Sequence, residues 1–313
     1  MPAAAGEAAT VFVRELFHVL WERYRGRVSY VRDYERMVRE NGATFFNDHI
    51  AFRTLGTTVG TNQIGMISLA VLFRPLGFRP VGAYDFKEKR LRAVHLQHPD
   101  PTFPKLFVSE LEVDKLNRDA QAILARYMLR HRDTLGEEEL SQLRDLKSLA
   151  PRDRNVLLTK MQGFFETLPW GIPDRADVEE LGKHSQYGAW VLMHGYEVNH
   201  FTASVNSHGV EAIGDIEKTV REMRARGIPM KHEIEGNAGT KLRQSATESV
   251  VIPVTVRGPD GRMQEMNWTY AYFEIAERHQ WTNPETGERE LFQGFLGEQA
   301  NQLFEMTAMK ALA

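Results

Sequence analysis

Two histidines, His49 and His200, each begin a short stretch in which polar and apolar side chains alternate. Side chains two residues apart share one face of a β-strand. His49 therefore shares a face with Arg53, and His200 shares a face with Thr202, while the alternate positions are apolar and suit a core. Because imidazole nitrogens are common metal ligands, two histidines on the polar faces of two strands predict a metal site.

A carboxylate that could complete this site lies further along the chain. Glu274 is the only charged residue in 266–275, and a buried strand carboxylate needs a partner; Glu277 is the alternative. Two histidines and one carboxylate from separate strands form the facial triad typical of non-haem Fe(II) oxygenases, which leaves positions open for substrate and O₂. Glu110 and Glu112 lie in the matching strand of the first half and could add a fourth ligand.

Polar groups next to the predicted ligands could bind a substrate. The long side chain of Arg53 can lean back toward the metal, and a guanidinium pairs with a carboxylate through two parallel hydrogen bonds. Arg53 is therefore predicted to clamp an acid and to act in catalysis. The polar run 241–247 offers further groups. Arg243 and Ser245 share one face of this predicted strand and Gln244 lies on the other, and alternation does not decide which face binds substrate.

The elements that position these residues repeat along the chain. Each histidine is followed by a strand, a helix and further strands, which predicts two βαβββ modules. The first module covers 46–113 and the second covers 188–313, including a C-terminal helix at 297–309. In the second module a strand is expected after Gly227-Ile228. The predicted fold class is α+β: two modules form a half-open mixed β-barrel around one metal.

Helices are predicted outside the two modules and within them. Residues 1–45 form N-terminal helices and 114–187 a helical insertion, so that the whole chain is one compact catalytic domain. The helix predicted at 62–73 is apolar nearly all round, which indicates burial. In the run 266–275, alternation predicts one strand whose face carries Glu274 beside three aromatic residues, Trp268, Tyr270 and Tyr272.

Composition limits the class of protein. The chain has 313 residues, 42% of them hydrophobic and 26% charged, and a net charge of -3, which gives no basic surface for nucleic acid. No stretch approaches the ~20 apolar residues that span a bilayer. The absence of cysteine excludes disulfides and thiolate ligands, and the N-terminus lacks the pattern of a secretion signal. We expect a cytoplasmic enzyme with nitrogen and oxygen metal ligands; the oligomeric state stays open.

Four motifs in order resemble those of a known family. They are His-Ile-Ala-Phe-Arg-Thr at 49–54, Val-Asn-His-Phe-Thr at 198–202, Leu-Arg-Gln-Ser at 242–245 and Tyr-Phe-Glu-Ile-Ala at 272–276. Together they resemble the 2-oxoadipate dioxygenase/decarboxylases, a family formerly catalogued as a domain of unknown function and similar to the vicinal oxygen chelate enzymes. The resemblance spans about 45–310. It implies an Fe(II) enzyme that converts 2-oxoadipate to 2-hydroxyglutarate with uptake of O₂ and loss of CO₂, in lysine degradation.

The resemblance also implies roles for single residues. By motif position, His49, His200 and Glu274 bind the metal and Arg53 binds the substrate carboxylate. Well-known members carry a longer C-terminal part that lines the substrate pocket, whereas this sequence ends at Ala313, so the exact 2-oxo acid stays open. Two alternatives remain: a glyoxalase-like lyase or isomerase that uses a metal without O₂ chemistry, and a metal-free binding protein of the same fold.

Overall fold

Strands from both halves of the chain join in one mixed sheet in the computed structural model, which describes residues 6–59, 62–297 and 307. The strands are β1 (Asn47–Val59), β2 (Asn62–Ile64), β3 (Arg79–Phe86), β4 (Leu91–Gln97), β5 (Lys105–Glu112), β6 (Val198–Ser204), β7 (Leu242–Ala246), β8 (Val251–Arg257), β9 (Met263–Thr269), β10 (Glu274–Arg278), β11 (Gln280–Thr282) and β12 (Arg289–Leu291). The helices are α1 (Glu7–Arg27), α2 (Tyr30–Glu40), α3 (Met66–Phe73), α4 (Arg118–Met128), α5 (Glu137–Arg144), α6 (Pro151–Glu166), α7 (Arg175–His184), α8 (Gln186–His194) and α9 (Ile216–Ala225).

The order of strands brings the two modules together at their first strands. The sheet runs β3-β4-β5-β1-β6-β10-β7, and β2 pairs with the end of β1. Strands β1 and β6 are antiparallel neighbours, and β10 is parallel to β6. The sheet curls into a half-barrel with helices around it, so the predicted α+β class is confirmed. The three strands that carry the predicted metal ligands therefore lie side by side at the centre.

The first module has the predicted βαβββ order, with one local difference. The helix predicted at 62–73 begins at Met66, because Asn62–Ile64 pairs as β2 with the end of β1. The prediction that this helix is buried all round was wrong. Ile67 is 48% exposed and Val71 is 41% exposed, so the helix packs on the sheet through one side only.

The second module is less regular than predicted. The strand expected directly after Gly227-Ile228 does not form; between α9 and β7 the described backbone makes only isolated bridges, of Met230 with Thr247 and of Glu235 with Gln244. Its two glycines Gly236 and Gly239 have φ angles of 87° and 89°, which turn the backbone out of an extended course. Strands β8 and β9 pair with each other as a separate hairpin and do not join the main sheet.

The predicted strand 266–275 is divided into two. Strand β9 ends at Thr269, and β10 begins at Glu274. Between them the backbone bonds to another segment: the Tyr270 amide donates to the Val250 carbonyl, and the Thr247 amide donates to the Phe273 carbonyl. Glu274 is thus the first residue of a central strand, not the end of a hairpin strand.

Helices support the sheet from the N-terminal segment and from the predicted insertion. Helix α1 buries apolar residues at intervals of three and four, among them Phe12 and Leu16, and the Tyr24 hydroxyl donates to the Tyr272 carbonyl. Helix α8 was not predicted, although from Tyr187 to its end it is buried. The C-terminal helix predicted at 297–309 lies outside the described residues, apart from its first residue and Thr307. None of the helices in the described range combines the length and the apolar character that crossing a bilayer requires.

Candidate metal centre and active-site cavity

Strand register brings His49, His200 and Glu274 to one patch of the inner face of the sheet. Thr202 of β6 lies opposite His49, and His200 lies opposite Ala51. Glu274 lies beside Thr202 on the following strand. Because directly opposed residues point to the same face, the two imidazoles and the carboxylate converge around Thr202.

The distances between the three side chains suit the binding of one shared metal ion. The Nε2 atom of His49 is 3.3 Å from Oε1 of Glu274, and Nε2 of His200 is 3.6 Å from Oε2. One ligand atom from each residue lies within 4.8 Å of the others, and all three residues are buried. Within the described ranges, no second group of three His, Asp or Glu residues has this geometry.

Each histidine is oriented by the residue that precedes it. The Nδ1 atom of His49 lies 2.8 Å from Oδ1 of Asp48, and Nδ1 of His200 lies 3.0 Å from Oδ1 of Asn199. With Nδ1–H donating to these oxygens, each Nε2 keeps its lone pair for a metal. Asp48 is itself fixed by Arg278, whose Nε and Nη2 donate to the two carboxylate oxygens at 2.6 and 2.8 Å.

Charge at the site favours an ionised carboxylate. Burial by itself raises the pKa of Glu274, but the neighbouring His200, His49 and Gln244 outweigh it and lower that pKa. Burial lowers the pKa of His200 to about 3, so its ring is neutral at pH 7. Burial also opposes protonation of His49, yet its hydrogen bonds to Asp48 and Glu274 raise its pKa. A cation between these rings and the carboxylate would take the place of that proton.

One atom of Glu274 tests whether the residues fit a metal. Its Oε1 accepts hydrogen bonds from Gln244 Nε2 at 2.5 Å and from Thr202 Oγ1 at 3.2 Å. Its Oε2 is fully buried and has no hydrogen-bond partner among the described residues. An unpaired buried carboxylate oxygen is costly, and a cation bound by Oε2 and the two Nε2 atoms would satisfy it. The donor set of two nitrogens and one carboxylate therefore fits a divalent metal ion.

The three residues line one cavity. Arg53 lines the same cavity and is 2% exposed. Its guanidinium carbon lies 5.0 Å from the ring centre of Tyr187 and 5.3 Å from that of Trp190, and its Nη1 donates to Thr307 Oγ1 at 2.6 Å. The buried cation is thus held against two aromatic rings of α8.

Aromatic rings close the cavity next to the histidines. The Tyr272 ring stacks on His200 with centroids 4.7 Å apart, and Phe295 meets His49 edge to face at 4.9 Å. Phe107 completes this apolar wall. These rings exclude water from the space beside the predicted metal ligands.

Of the three residues of β7 that were predicted to bind substrate, only one lines the cavity. Gln244 does, and its amide holds Glu274. Arg243 and Ser245 point to the other side of β7: Arg243 pairs with Glu217, and the Ser245 hydroxyl donates to the carbonyl of Glu233 at 3.4 Å. The substrate contacts predicted for Arg243 and Ser245 are not supported by these positions, because a strand presents only alternate side chains to one cavity.

The other predicted candidates also have partners elsewhere. Glu110 accepts from Arg92 Nη2 at 2.6 Å, and Glu112 pairs with Lys115. Glu277 points away from Glu274 on β10, where its carboxylate accepts from the Ile216 amide at 3.3 Å. Of the aromatic set, Tyr272 lines the cavity, whereas Trp268 and Tyr270 lie on the segment before β10 and are not in its wall.

Several residues of the site were not found from the sequence. Asp48 and Asn199 carried a usable signal, since each is a hydrogen-bond acceptor that directly precedes a predicted ligand. Tyr187 and Phe295 carried none, because Tyr187 contacts Arg53, and Phe295 lines the cavity, from segments far away in the chain.

A curled half-barrel whose neighbouring strands bring two histidines and a glutamate together has a fold like that of the vicinal oxygen chelate proteins, with a site that could bind a metal. Comparison with known sequences makes the assignment specific. The sequence profile of the 2-oxoadipate dioxygenase/decarboxylase family matches residues 14–312, and the chain belongs to this family.

Characterised relatives and solved structures agree with this assignment. A chloroplastic 2-oxoadipate dioxygenase/decarboxylase of Arabidopsis thaliana is 27% identical over 289 residues, which are 85% of this chain and 69% of the relative. The crystal structure of hydroxyglutarate synthase from Oryza sativa in complex with 2-oxoadipate is 25% identical, with a TM-score of 0.77 over 98% of this chain and 96% of that one. A protein of the glyoxalase superfamily from Ralstonia eutropha JMP134 shares the fold at 22% identity, with a TM-score of 0.76 over 94% of this chain and 87% of that one.

Proposed function

We propose that this protein is an Fe(II)-dependent dioxygenase that decarboxylates a 2-oxo acid, with 2-oxoadipate as substrate and 2-hydroxyglutarate as product. The observation that carries the proposal is the buried triad of His49, His200 and Glu274, with one unpaired carboxylate oxygen, in a cavity that also holds the Arg53 cation. Family membership and the 2-oxoadipate complex of the rice relative support the substrate. A place in lysine degradation follows from that substrate.

The proposed ligands are Nε2 of His49, Nε2 of His200 and the carboxylate of Glu274. Iron bound there supplies the redox chemistry between O₂ and the 2-oxo acid. No external reductant is needed, because oxidative loss of the carboxyl group as CO₂ and hydroxylation of the carbon next to the keto carbon each provide two of the four electrons that reduce O₂. Both atoms of O₂ enter the organic product: one completes the carboxyl group that forms at the former keto carbon, and the other becomes the new hydroxyl group, while CO₂ leaves with the two oxygens of the original carboxyl group.

The protein contributes orientation and exclusion of water. Arg53 binds the distal carboxylate of the diacid and thereby fixes the direction in which the substrate lies. Gln244 and Thr202 hold one oxygen of Glu274 by hydrogen bonds, which leaves the other oxygen for the metal. The rings of Tyr272 and Phe295 keep solvent away from the reacting end.

The proposed organisation is one catalytic domain with four segments: N-terminal helices at 1–45, a β module at 46–113, a helical insertion at 114–187 and a second module at 188–313. Nearly all buried apolar side chains in the described ranges belong to one continuous core, which supports a single domain. A cytoplasmic setting remains a prediction from the absence of cysteine, and the plant relatives are named as chloroplastic proteins.

Oxygen uptake tests the proposed function. Metal-free protein is loaded anaerobically with Fe(II), and 2-oxo acids of four to seven carbons are then tested in an oxygen electrode, with CO₂ and organic product measured. We expect equal amounts of O₂ consumed, CO₂ released and 2-hydroxyglutarate formed from 2-oxoadipate. Conversion of a substrate with metal but without O₂ uptake would indicate the glyoxalase-like alternative.

Two variants of one strand serve as matched controls for this test. Glu274→Gln should abolish turnover, since it removes a proposed ligand. Glu277→Gln should retain it, since Glu277 points away from the cavity. Equal activity of both variants would exclude Glu274 from the reaction, and unchanged metal content in His200→Ala would favour a site elsewhere.

A further inference from the structure

A second, open cleft lies next to the triad cavity. Its wall includes Lys105, Arg278, Ser204, Asn206 and Asp48. Asp48 links the two spaces, because it lines the cleft while its carboxylate accepts a hydrogen bond from His49, which lines the cavity.

Strand register places this cleft at one end of the inner face of the sheet. Lys105 of β5 lies opposite His49, and Ser204 follows Thr202 on the same face of β6. Arg278 follows Glu274 on the same face of β10. Arg53 lies in the other direction along β1. The triad is therefore flanked by a cation on each side.

The charge of the cleft is positive. Asp48 is the only acid among its described lining residues, and its two oxygens already accept hydrogen bonds from Arg278 and His49. The Lys105 ammonium is 3.8 Å from Asp48, which is too long for a hydrogen bond. Arg278 also donates hydrogen bonds from Nη1 to the Phe292 and Gly294 carbonyls. One acid thus faces two cations, and the ammonium of Lys105 makes no hydrogen bond within the described part of the chain, so its N–H groups can bind a ligand.

We propose that this cleft is an anion-binding vestibule for dicarboxylates, in which Lys105 pairs with a carboxylate of the incoming substrate or the leaving product. The inference rests on the proposed function and adds a second subsite to it. A diacid approaching the cavity meets a field of the opposite sign, which raises its local concentration at the entrance. Arg278 contributes charge to the field, and Lys105 contributes the available hydrogen bonds.

Replacement of Lys105 tests the vestibule. In Lys105→Met we expect kcat/KM for 2-oxoadipate to fall about fivefold at low salt and the difference from wild type to shrink as salt screens the field. The value of kcat and the iron content should be unchanged, because Lys105 is not a ligand of the metal. Lys105→Arg should restore most of kcat/KM. Lys115→Met is the matched control, since it removes the same charge from a half-exposed lysine that pairs with Glu112.

Two outcomes would overturn the vestibule. One is an equal fall of kcat/KM in Lys105→Met and Lys115→Met, which would indicate a general effect of net charge. The other is a fall in kcat together with loss of iron, which would indicate that Lys105 only supports Asp48 and the metal.

A second measurement detects binding of a diacid in the vestibule without turnover. Its result therefore does not depend on whether the proposed function is correct. Lysine acetylation by limiting acetic anhydride is followed by peptide mass spectrometry with and without adipate, a diacid that lacks the keto group. We expect adipate to slow labelling of Lys105 several-fold and to leave Lys115 unaffected. Equal labelling of Lys105 in both conditions would overturn the vestibule whether or not the protein consumes oxygen.

Discussion

At the scale of the residue, hydrogen bonds decide how each proposed ligand presents its metal-binding atom. Asp48 receives the Nδ1 proton of His49 and is itself held by Arg278 on both oxygens. The ring is therefore fixed in one tautomer with Nε2 toward Glu274. Partners of this kind set ligand basicity and orientation, so their loss weakens metal binding even though they do not touch the metal.

We predict that Asp48→Asn lowers the affinity for Fe(II) about 10- to 100-fold. The amide is neutral and no longer favours the donated Nδ1 proton, and it pairs less well with Arg278. Metal affinity is measured by competition with a chelator, and thermal unfolding is recorded to verify that the fold is intact. Asp100→Asn, an aspartate that bonds Thr102 in a surface turn, is the control. Wild-type affinity in a folded Asp48→Asn protein would contradict this role.

We predict that Arg53→Lys keeps its iron but turns over the diacid poorly. A lysine cannot reproduce the planar two-point contact with a carboxylate, and loss of a buried charge pair costs on the order of 2–5 kcal/mol. Steady-state kinetics on 2-oxoadipate and on a monoacid of equal length measure the difference. If both rates fell equally, or if the diacid rate were unchanged, Arg53 would not bind the distal carboxylate.

At the scale of the element, regular and irregular parts of the sheet differ in how far they can be predicted. The strands of the first module follow from alternation, because consecutive strands pair with each other or with β1. In the second module β8 and β9 alternate equally well, yet they pair outside the main sheet. Alternation reports which side chains share a face and carries no information on which sheet a hairpin joins. The placement of Glu274 on a strand is confirmed, although the strand begins there and does not end there.

Helix α8 contacts Arg53, the residue proposed to bind the distal carboxylate of the substrate. Its Tyr187 ring lies under the Arg53 guanidinium, and the Tyr187 hydroxyl lies 2.8 Å from Ser109 Oγ and accepts from the Thr54 amide at 3.2 Å. This ring is therefore anchored to β1 and β5, two of the strands that border the cavity.

We predict that Tyr187→Phe raises KM for the diacid about threefold while kcat and iron content stay near wild type. The ring loses its anchor and no longer fixes Arg53, and the lost hydroxyl costs about 1 kcal/mol of unfolding free energy. Tyr196→Phe is the control: it removes a buried hydroxyl that bonds His131 in the helical layer, away from Arg53. It should lower stability to a similar degree without changing KM. The same change of KM in both variants would refute a specific role for Tyr187.

At the scale of the whole molecule, burial of neutral histidines links stability to pH. Burial lowers the pKa of His95 and of His194 to about 4 and that of His200 to about 3. In the unfolded chain a histidine has a pKa of about 6.5, so the unfolded state binds more protons between these values. The metal-free protein should therefore lose stability as pH falls from about 6.5 toward about 4.

We predict that His194→Gln reduces the slope of the unfolding free energy against pH by about 1.4 kcal/mol per pH unit. This change corresponds to about one proton fewer taken up on unfolding. His194 lies between Trp190 and Tyr270 and does not line the cavity, so the effect is separate from the metal site. Denaturant unfolding at a series of pH values gives the slope, and His18→Gln, at an exposed position on α1, is the control. An unchanged slope in His194→Gln would show that His194 does not take up a proton on unfolding.

The candidate site itself was predictable where residue type and strand position coincide. His49, His200, Glu274 and Arg53 were placed on inner strand faces by alternation, and the structure brings all four to one cavity. Phe295 could not be placed in this way, because it enters from a segment after the last strand through tertiary contacts. The Tyr84 hydroxyl, which accepts from the Phe295 amide at 3.1 Å, is an example of a contact that no local pattern encodes.

The most direct test of the central claim is anomalous diffraction from crystals loaded anaerobically with Fe(II), recorded on both sides of the iron absorption edge. The proposed function predicts one iron peak within coordination distance of His49 Nε2, His200 Nε2 and the Glu274 carboxylate. An iron peak at other residues, or no peak at this triad in a protein that consumes O₂ with 2-oxoadipate, would contradict it.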